Sequence, residues 1–235
     1  MKLVNSTNLK TYNKIYRSMD AEHFYPNTNL VRLEKWFFFQ KKGTLLDHGC
    51  GYGENSIFLA NKGYKVIASE ISKNLCNYLK IKFKKKVKLK KNIKLELIDP
   101  NSEKLHYEDN SFDFIISLGV LEMLSNRKYA KNLIDEFLRC LKPNGKMIVS
   151  TLAMKNTFVK RSKKIGKETY KFIKSEKFKN KNNLKYELYI PSSKNSFRGI
   201  FNKKYCKHME IGSWDNEYCG VEGKHLVALV QKHGL

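Results

Sequence analysis

The chain is short of the features that mark several large protein classes. It has four prolines in 235 residues, no proline-, serine- or glycine-rich linker, and no run of about 18 apolar residues. The missing linker argues for one continuous domain, and the missing apolar run leaves no candidate bilayer span, so no membrane partner is expected. Cysteines at 50, 76, 140, 206 and 219 form no CxxC pair and no Cys/His cluster at zinc-ligand spacing. Free thiols in a reducing compartment are expected, without a zinc site. The opening Met-Lys-Leu-Val-Asn-Ser-Thr-Asn lacks the apolar stretch of a signal peptide, and the expected location is cytoplasmic.

Arginine is scarce too, with six (17, 32, 127, 139, 161 and 198) among 46 basic residues. That scarcity qualifies the formal charge of +24. A polyanionic partner such as nucleic acid is one reading of the charge. Base composition is the other, because abundant Lys, Asn and Ile is what AT-rich codons produce. Proteins that read bases or phosphates in a fixed geometry favour the planar fork of Arg, which supports the second reading. At 41% hydrophobic and 12% aromatic residues, the chain is too apolar to be disordered.

What is present is organised around residues 43–54, Gly-Thr-Leu-Leu-Asp-His-Gly-Cys-Gly-Tyr-Gly-Glu: a short apolar strand, three alternating glycines, then a helix. Gly49, Gly51 and Gly53 let the backbone take positive φ and approach a ligand closely, and the following helix offers unpaired amide donors. Asp47, just ahead of the glycines, would repel a dinucleotide pyrophosphate but suits a cofactor that carries an ammonium group. The next strand, 65–69, finishes at Glu70. That is about 20 residues beyond the turn, where an acid accepts hydrogen bonds from ribose hydroxyls.

Further along, 72–91 reads as a helix with Leu75, Leu79 and Phe83 on one face and a solvated lysine run on the other. Strands follow at 93–98, ending in Asp99-Pro100, at 114–117, and at 146–151 after a helix over 128–141. Strands and helices alternate five times, the pattern of βαβ units and a parallel sheet covered on both faces. Ahead of this core, helices are expected around 13–20 and 29–39. Tyr12 and Tyr16 lie four apart on the first, on one face. The chain closes with strands at 207–212 and 225–231. The expected organisation is a single domain: an N-terminal helical cap (1–42), a cofactor-binding core (43–154), a basic insertion (155–206) and a final strand pair (207–235).

The ordered set Leu45-Leu46-Asp47-His48-Gly49-Cys50-Gly51-Tyr52-Gly53, Glu70, Asp99, Asn110-Ser111-Phe112-Asp113 and Leu141-Lys142-Pro143-Asn144-Gly145 resembles the class I S-adenosylmethionine-dependent methyltransferases, over roughly residues 30–155. Glu54 stands where the dinucleotide fingerprint wants Gly or Ala, which argues against NAD. The resemblance implies a doubly wound, mostly parallel seven-stranded α/β sheet and S-adenosylmethionine as cofactor. By it, Asp47 and the backbone of Gly49, Gly51 and Gly53 lie against the cofactor's amino-acid end. Glu70 holds the ribose, Ile71 packs on adenine, Asp99 accepts from the adenine amino group, and Leu118 borders the sulfonium. His48 departs from the usual apolar residue. Met123 stands where many relatives carry histidine, which removes an obvious base. Tyr25-Pro26-Asn27 and Gly212-Ser213-Trp214-Asp215-Asn216-Glu217-Tyr218-Cys219-Gly220 resemble a subset of bacterial small-molecule methyltransferases of surface-polysaccharide (capsule) biosynthesis, which methylate sugars or a phosphoramidate.

The acceptor side is read from the segment 155–207, with 17 basic residues against three acidic ones and interleaved aromatics. It is either a substrate-binding insertion or a lysine-rich helical surface. A sugar hydroxyl must lose a proton as it attacks, whereas a phosphate or phosphoramidate oxygen needs no base. Lysine richness and the missing histidine favour an anionic small metabolite: phosphorylated, phosphoramidate or nucleotide-linked. Tyr12, Arg17, Arg198 and Tyr205 are the expected substrate-binding residues, with His208 and Tyr16 as candidate catalytic groups and Asp215 and Glu217 as further positioning residues. No metal is expected, since two carboxylates without a third ligand make a poor site. Two alternatives stand beside this reading: an RNA methyltransferase using the lysine-rich face, and a non-catalytic cofactor-binding partner protein.

Overall fold

In a computed structural model, the chain is described over residues 8, 10, 25–39, 41–86, 90–99, 102, 104–173, 185–215 and 223–234. The cap helix expected around 13–20 lies outside the described residues. Helix α1 (Thr28–Trp36) is started by Asn27, whose side chain accepts from the amides of Asn29 and Leu30. Then follow β1 (Thr44–His48), α2 (Glu54–Asn61), β2 (Lys65–Glu70), α3 (Lys73–Lys86), β3 (Ile93–Leu97), β4 (Phe112–Leu118), α4 (Arg127–Cys140) and β5 (Leu141–Leu152). After the short α5 (Thr157–Lys160) come β6 (Ser162–Gly166), β7 (Thr169–Ile173) and β8 (Lys185–Tyr189). The chain continues with α6 (Lys194–Arg198), β9 (Cys206–Trp214) and β10 (His225–Lys232).

The main sheet has seven strands in the order β3-β2-β1-β4-β5-β10-β9. Pairs among the first five are parallel, and β10 runs antiparallel to both β5 and β9. Alternating strand residues feed two cores. Leu46, Ile115, Met147 and Val149 join the apolar face of α4 (Leu133, Ile134, Phe137) on one side. Leu45, Phe114, Ile116 and Ile148 meet Leu30, Leu59, Leu75 and Leu79 of α1, α2 and α3 on the other. Burial on both faces accounts for the nearly continuous apolar runs of the central strands.

Three elements differ from expectation. Helix α3 stops at Lys86, short of 91, and a 3-10 turn at Lys90–Asn92 leads into β3. Strand β5 begins before the Lys-Pro-Asn-Gly turn, because Leu141 already pairs with Phe112. The turn then loops out, with Asn144 at φ 60°, and pairing resumes at Lys146 opposite Phe114. Among the described residues, the basic insertion is built on the three-stranded antiparallel sheet β6-β7-β8, with the short helices α5 and α6 beside it, rather than on a lysine-rich helical surface. In β7 and β8 the sequence alternates in and out, with Tyr170, Phe172, Tyr186 and Leu188 buried and Lys171 exposed, while β6 presents Lys163 and Lys164 to solvent. The buried set packs with Leu152, Val159 and Met123, so the small sheet caps the carboxyl ends of β4 and β5.

Two polar ties fix this cap. Asn8, fully buried, donates to the carbonyls of Met123 and Glu187 and accepts from the Glu187 amide at 3.0 Å. Glu168, between β6 and β7, accepts from the Ser192 amide and hydroxyl, from the Ser196 hydroxyl, and from Arg127 at the start of α4. Among the described residues, no helix is long and apolar enough to cross a membrane.

Candidate functional site

At the carboxyl end of β1 the backbone turns through Gly49, Gly51 and Gly53 at φ 71°, 55° and 78°, a conformation glycine adopts without strain. A Cβ at Gly49 would overlap Val120 Cγ2. The turn is therefore pressed against the loop that follows β4. The Gly49 and Cys50 amides are both taken up by the Ser69 carbonyl at the end of β2.

Two buried carboxylates flank the turn. Asp47 is 2% exposed and accepts from the Ser56 hydroxyl on α2. Burial pushes its pKa up to about 7, with the Ser56 bond opposing the rise and the Glu70 charge adding to it. Glu70, at the end of β2, accepts from the Ile71 and Ser72 amides at Oε1 and from the Gly51 amide at 3.1 Å at Oε2. Burial raises its pKa as well, and these backbone bonds oppose the rise. Among the described residues neither acid has a Lys or Arg partner. Two adjacent buried acids without a counter-cation fit a cationic ligand, and Glu70 keeps acceptor capacity on Oε2 for a hydroxyl. The Asp47–glycine–Glu70 cradle thus fits a nucleoside that bears an amino-acid tail.

The remaining expected cofactor residues lie along the same edge. The Ile71 amide is fixed by Glu70, Leu118 ends β4, and exposed Asp99 lines a cavity of about 170 Å³ with Ile98, Lys104 and His106. His48 is a packed group: Phe137 meets its ring edge-on at 5.2 Å, Ser69 Oγ lies 3.3 Å from Nδ1, and burial lowers its pKa to about 4. Lys82 departs from the solvated lysine face of α3. It is buried, donates to the Tyr52 carbonyl at 2.9 Å and pairs with Glu54, which straps α3 to the glycine turn. Asp113 serves structure, accepting from the Thr44 amide and from Lys142.

The substrate-side expectations fare differently. His208 pairs in register with Gln231, and Gln231 with Lys146, so it stands at the amino end of β5, opposite the glycine turn. Its side chain is half exposed and bonded to Glu210. The candidate base His208 is therefore corrected: it cannot reach chemistry at the carboxyl ends of the strands. Arg198 donates to the Met209 carbonyl, one residue along from His208. Tyr205 precedes β9 at that same end, with its carbonyl taken by the His233 amide. Neither is placed to bind an acceptor beside the cofactor cradle. Tyr12, Tyr16, Arg17 and Glu217 lie outside the described residues, and Asp215 is exposed, 3.9 Å from Lys224.

Two groups at the cofactor end were missed. His225 opens β10 opposite Leu152, with Nδ1 held by the Gly223 carbonyl and its pKa lowered by burial. Glu122 lies buried in the 3-10 turn Leu121–Met123 after β4. The sequence signal for Glu122 was its place four residues beyond Leu118, next to the conspicuous Met123.

The strand order, the reversed β10 and the acid-flanked glycine turn define the class I, S-adenosylmethionine-dependent methyltransferase fold. Residues 46–149 match the family model described as a methyltransferase domain, and the cofactor that goes with such a domain is S-adenosylmethionine. The demethylmenaquinone methyltransferase of Oceanobacillus iheyensis is 38% identical over 109 residues, covering 45% of this chain and 42% of that protein. The chain spans about half the length of the curated relatives it matches. Among solved structures, a SAM-dependent methyltransferase from Methanosarcina mazei aligns with a TM-score of 0.67 at 16% identity, over 90% of this chain and all of that one. The N-methyltransferase NodS from Bradyrhizobium japonicum, solved with S-adenosyl-L-homocysteine, aligns with a TM-score of 0.64 at 12% identity, over 96% and 98%.

Proposed function

We propose that the chain transfers the methyl group of S-adenosylmethionine to an oxygen of a small anionic metabolite, a phosphorylated, phosphoramidate or nucleotide-linked sugar, within cytoplasmic surface-polysaccharide biosynthesis. The observation that carries the cofactor half is the pair of buried acids, Asp47 and Glu70, on either side of a positive-φ glycine turn. The bound cofactor supplies an electrophilic methyl carbon. The protein's part is to align an acceptor with it and to exclude water, and the apolar inner face of the cap, with Tyr170, Phe172 and Tyr186, is suited to that exclusion. The acceptor half is supported by the resemblance of Tyr25-Pro26-Asn27 and residues 212–220 to capsule methyltransferases, and by the basic outer rim of the cap.

Calorimetry with S-adenosylmethionine, followed by assay of S-adenosylhomocysteine release over nucleotide sugars and sugar phosphates, tests both halves. Micromolar cofactor binding that weakens at least tenfold in Asp47→Ala and in Glu70→Ala is the expected result. Unchanged affinity in both variants would overturn the cofactor assignment. Turnover that persists at high salt separates a small acceptor from RNA, whose binding weakens steeply as salt rises.

A further inference from the structure

Glu122 is a carboxylate that the fold buries and leaves incompletely partnered. Its side chain is 6% exposed, and Oε2 is buried without a hydrogen-bond partner. Buried polar atoms are nearly always paired, so an orphan of this kind needs a reason. The neighbouring Thr151 Oγ1, at the end of β5, is orphaned as well.

Its position supplies the reason. Glu122 Oε1 lies 3.5 Å from where a Cβ of Gly119 would stand, at the carboxyl end of β4. Val120, in the same loop, fills the space over Gly49 of the cofactor turn. Met123, on the other side of Glu122, packs into the aromatic core of the cap. The carboxylate therefore sits between the glycine turn and the cap, in the crevice beyond the strand ends where open α/β sheets bind ligands.

Resting on the methyltransferase reading above, we infer that Glu122 is the proton acceptor of the transfer and that the reacting group is a neutral hydroxyl rather than an anionic phosphorus-bound oxygen. As the acceptor oxygen bonds to the methyl carbon, the carbon–sulfur bond breaks with its electron pair going to sulfur, and the hydroxyl proton passes to Glu122 Oε2. Charges balance: a sulfonium and a carboxylate become a neutral sulfide and a carboxylic acid. An anionic oxygen would instead be repelled by this carboxylate. Among the candidate acceptors, the sugar hydroxyls of phosphorylated or nucleotide-linked sugars remain, and the phosphoramidate drops out. Burial holds the Glu122 pKa up at about 7, and the Thr151 hydroxyl tempers the rise without closing a hydrogen bond. A base with that pKa is matched to work near neutral pH. The other groups facing it are Tyr186, whose own pKa the Glu122 charge helps raise, and the backbone of its own turn.

The test uses binding. S-Adenosylhomocysteine and sinefungin share the nucleoside and the amino-acid tail, but sinefungin carries a protonated amine in place of the sulfonium methyl. At pH 8 the wild-type chain is expected to bind sinefungin at least tenfold more tightly than S-adenosylhomocysteine. Glu122→Gln should bind S-adenosylhomocysteine within twofold of wild type and lose the preference. The preference should also shrink below pH 7 as Glu122 is protonated, and Asp47 cancels from the ratio because both ligands carry the same tail. A preference that survives in Glu122→Gln, or none in wild type, overturns the assignment. So does loss of S-adenosylhomocysteine binding in the variant, which would mark a structural role. Failure of both ligands to bind the wild-type chain would instead remove the methyltransferase reading itself.

Discussion

Gly49 and Val120 are in contact so close that the glycine has no room for a side chain. The contact joins the cofactor turn after β1 to the loop after β4, two segments separated by about 70 residues of chain. Gly49→Ala should cost about 1–2 kcal/mol for its positive φ alone, with the overlap adding to that, and should weaken cofactor binding at least tenfold. Adding Val120→Ala should recover the steric part but leave the φ cost. Urea denaturation of the single and double variants, with calorimetry on each, reads both quantities.

The pH dependence of cofactor binding follows from Asp47. Its pKa of about 7 in the folded protein must fall when an ammonium group binds beside it. Binding therefore takes the ionised form, and affinity should decline as pH drops below 7, approaching tenfold per unit. Calorimetry with S-adenosylhomocysteine between pH 5.5 and 8.5 shows the slope, and a flat profile would exclude contact between Asp47 and the cofactor tail.

The same shift has a stability sign. Above the ordinary carboxylate pKa the unfolded state gives up its proton while folded Asp47 keeps it, so this group's contribution becomes less favourable between about pH 4 and 7 and is constant above. Asp47→Asn should stabilise the ligand-free protein at pH 8 by on the order of 2 kcal/mol. The gain should vanish near pH 4, and cofactor binding should be lost. Thermal melts at the two pH values measure this.

Asn8 is the tie between the amino-terminal segment, the β4 loop and β8. Asn8→Ala removes three hydrogen bonds to the partly buried backbone of Met123 and Glu187, each contributing about 0.5–1.5 kcal/mol. The expected outcome is faster amide hydrogen exchange in β8, with β1–β5 unchanged. Uniform exchange across both sheets would show that the cap is not held this way.

Glu168→Ala removes four donors' shared acceptor and leaves the partly exposed Arg127 guanidinium without its carboxylate, held by the Ser196 carbonyl and hydroxyl. The predicted loss is about 2–3 kcal/mol, less than for a fully buried pair because solvent reaches the arginine. Glu168→Gln should recover part of it, since the amide oxygen still accepts from the serines. Chemical denaturation of the two variants distinguishes them.

The acid-flanked glycine turn was legible in the sequence because its signals are local. Glycines at alternate positions and an acid one strand later carry their meaning in a short window, and the apolar runs of β1, β2 and β4 mark the sheet that spaces them. His208 shows where that stops. Which end of a strand a residue occupies depends on the direction of β9, and that direction is set by the reversed β10 beside it, a long-range pairing with no short motif. Glu122 was hidden for a related reason: its burial comes from Thr151 and Tyr186, about 30 and 60 residues away. In the cap, Tyr170-Lys171-Phe172 and Tyr186-Glu187-Leu188 already alternate as strands do, but the lysines drew attention to charge rather than period. Lys82 was lost within its own run, where only the fold separates the buried lysine from its solvated neighbours.

The unpaired acids of the cradle reach beyond catalysis. Among the described residues Asp47, Glu70 and Glu122 have no counter-ion, so a cationic ligand that binds the folded state alone should lower the fraction of molecules open to proteases. On the proposed function, the amount of this protein that a cell retains should therefore rise and fall with the activated methionine available to it, so that methyl-donor supply would set the lifetime of the protein as well as its rate.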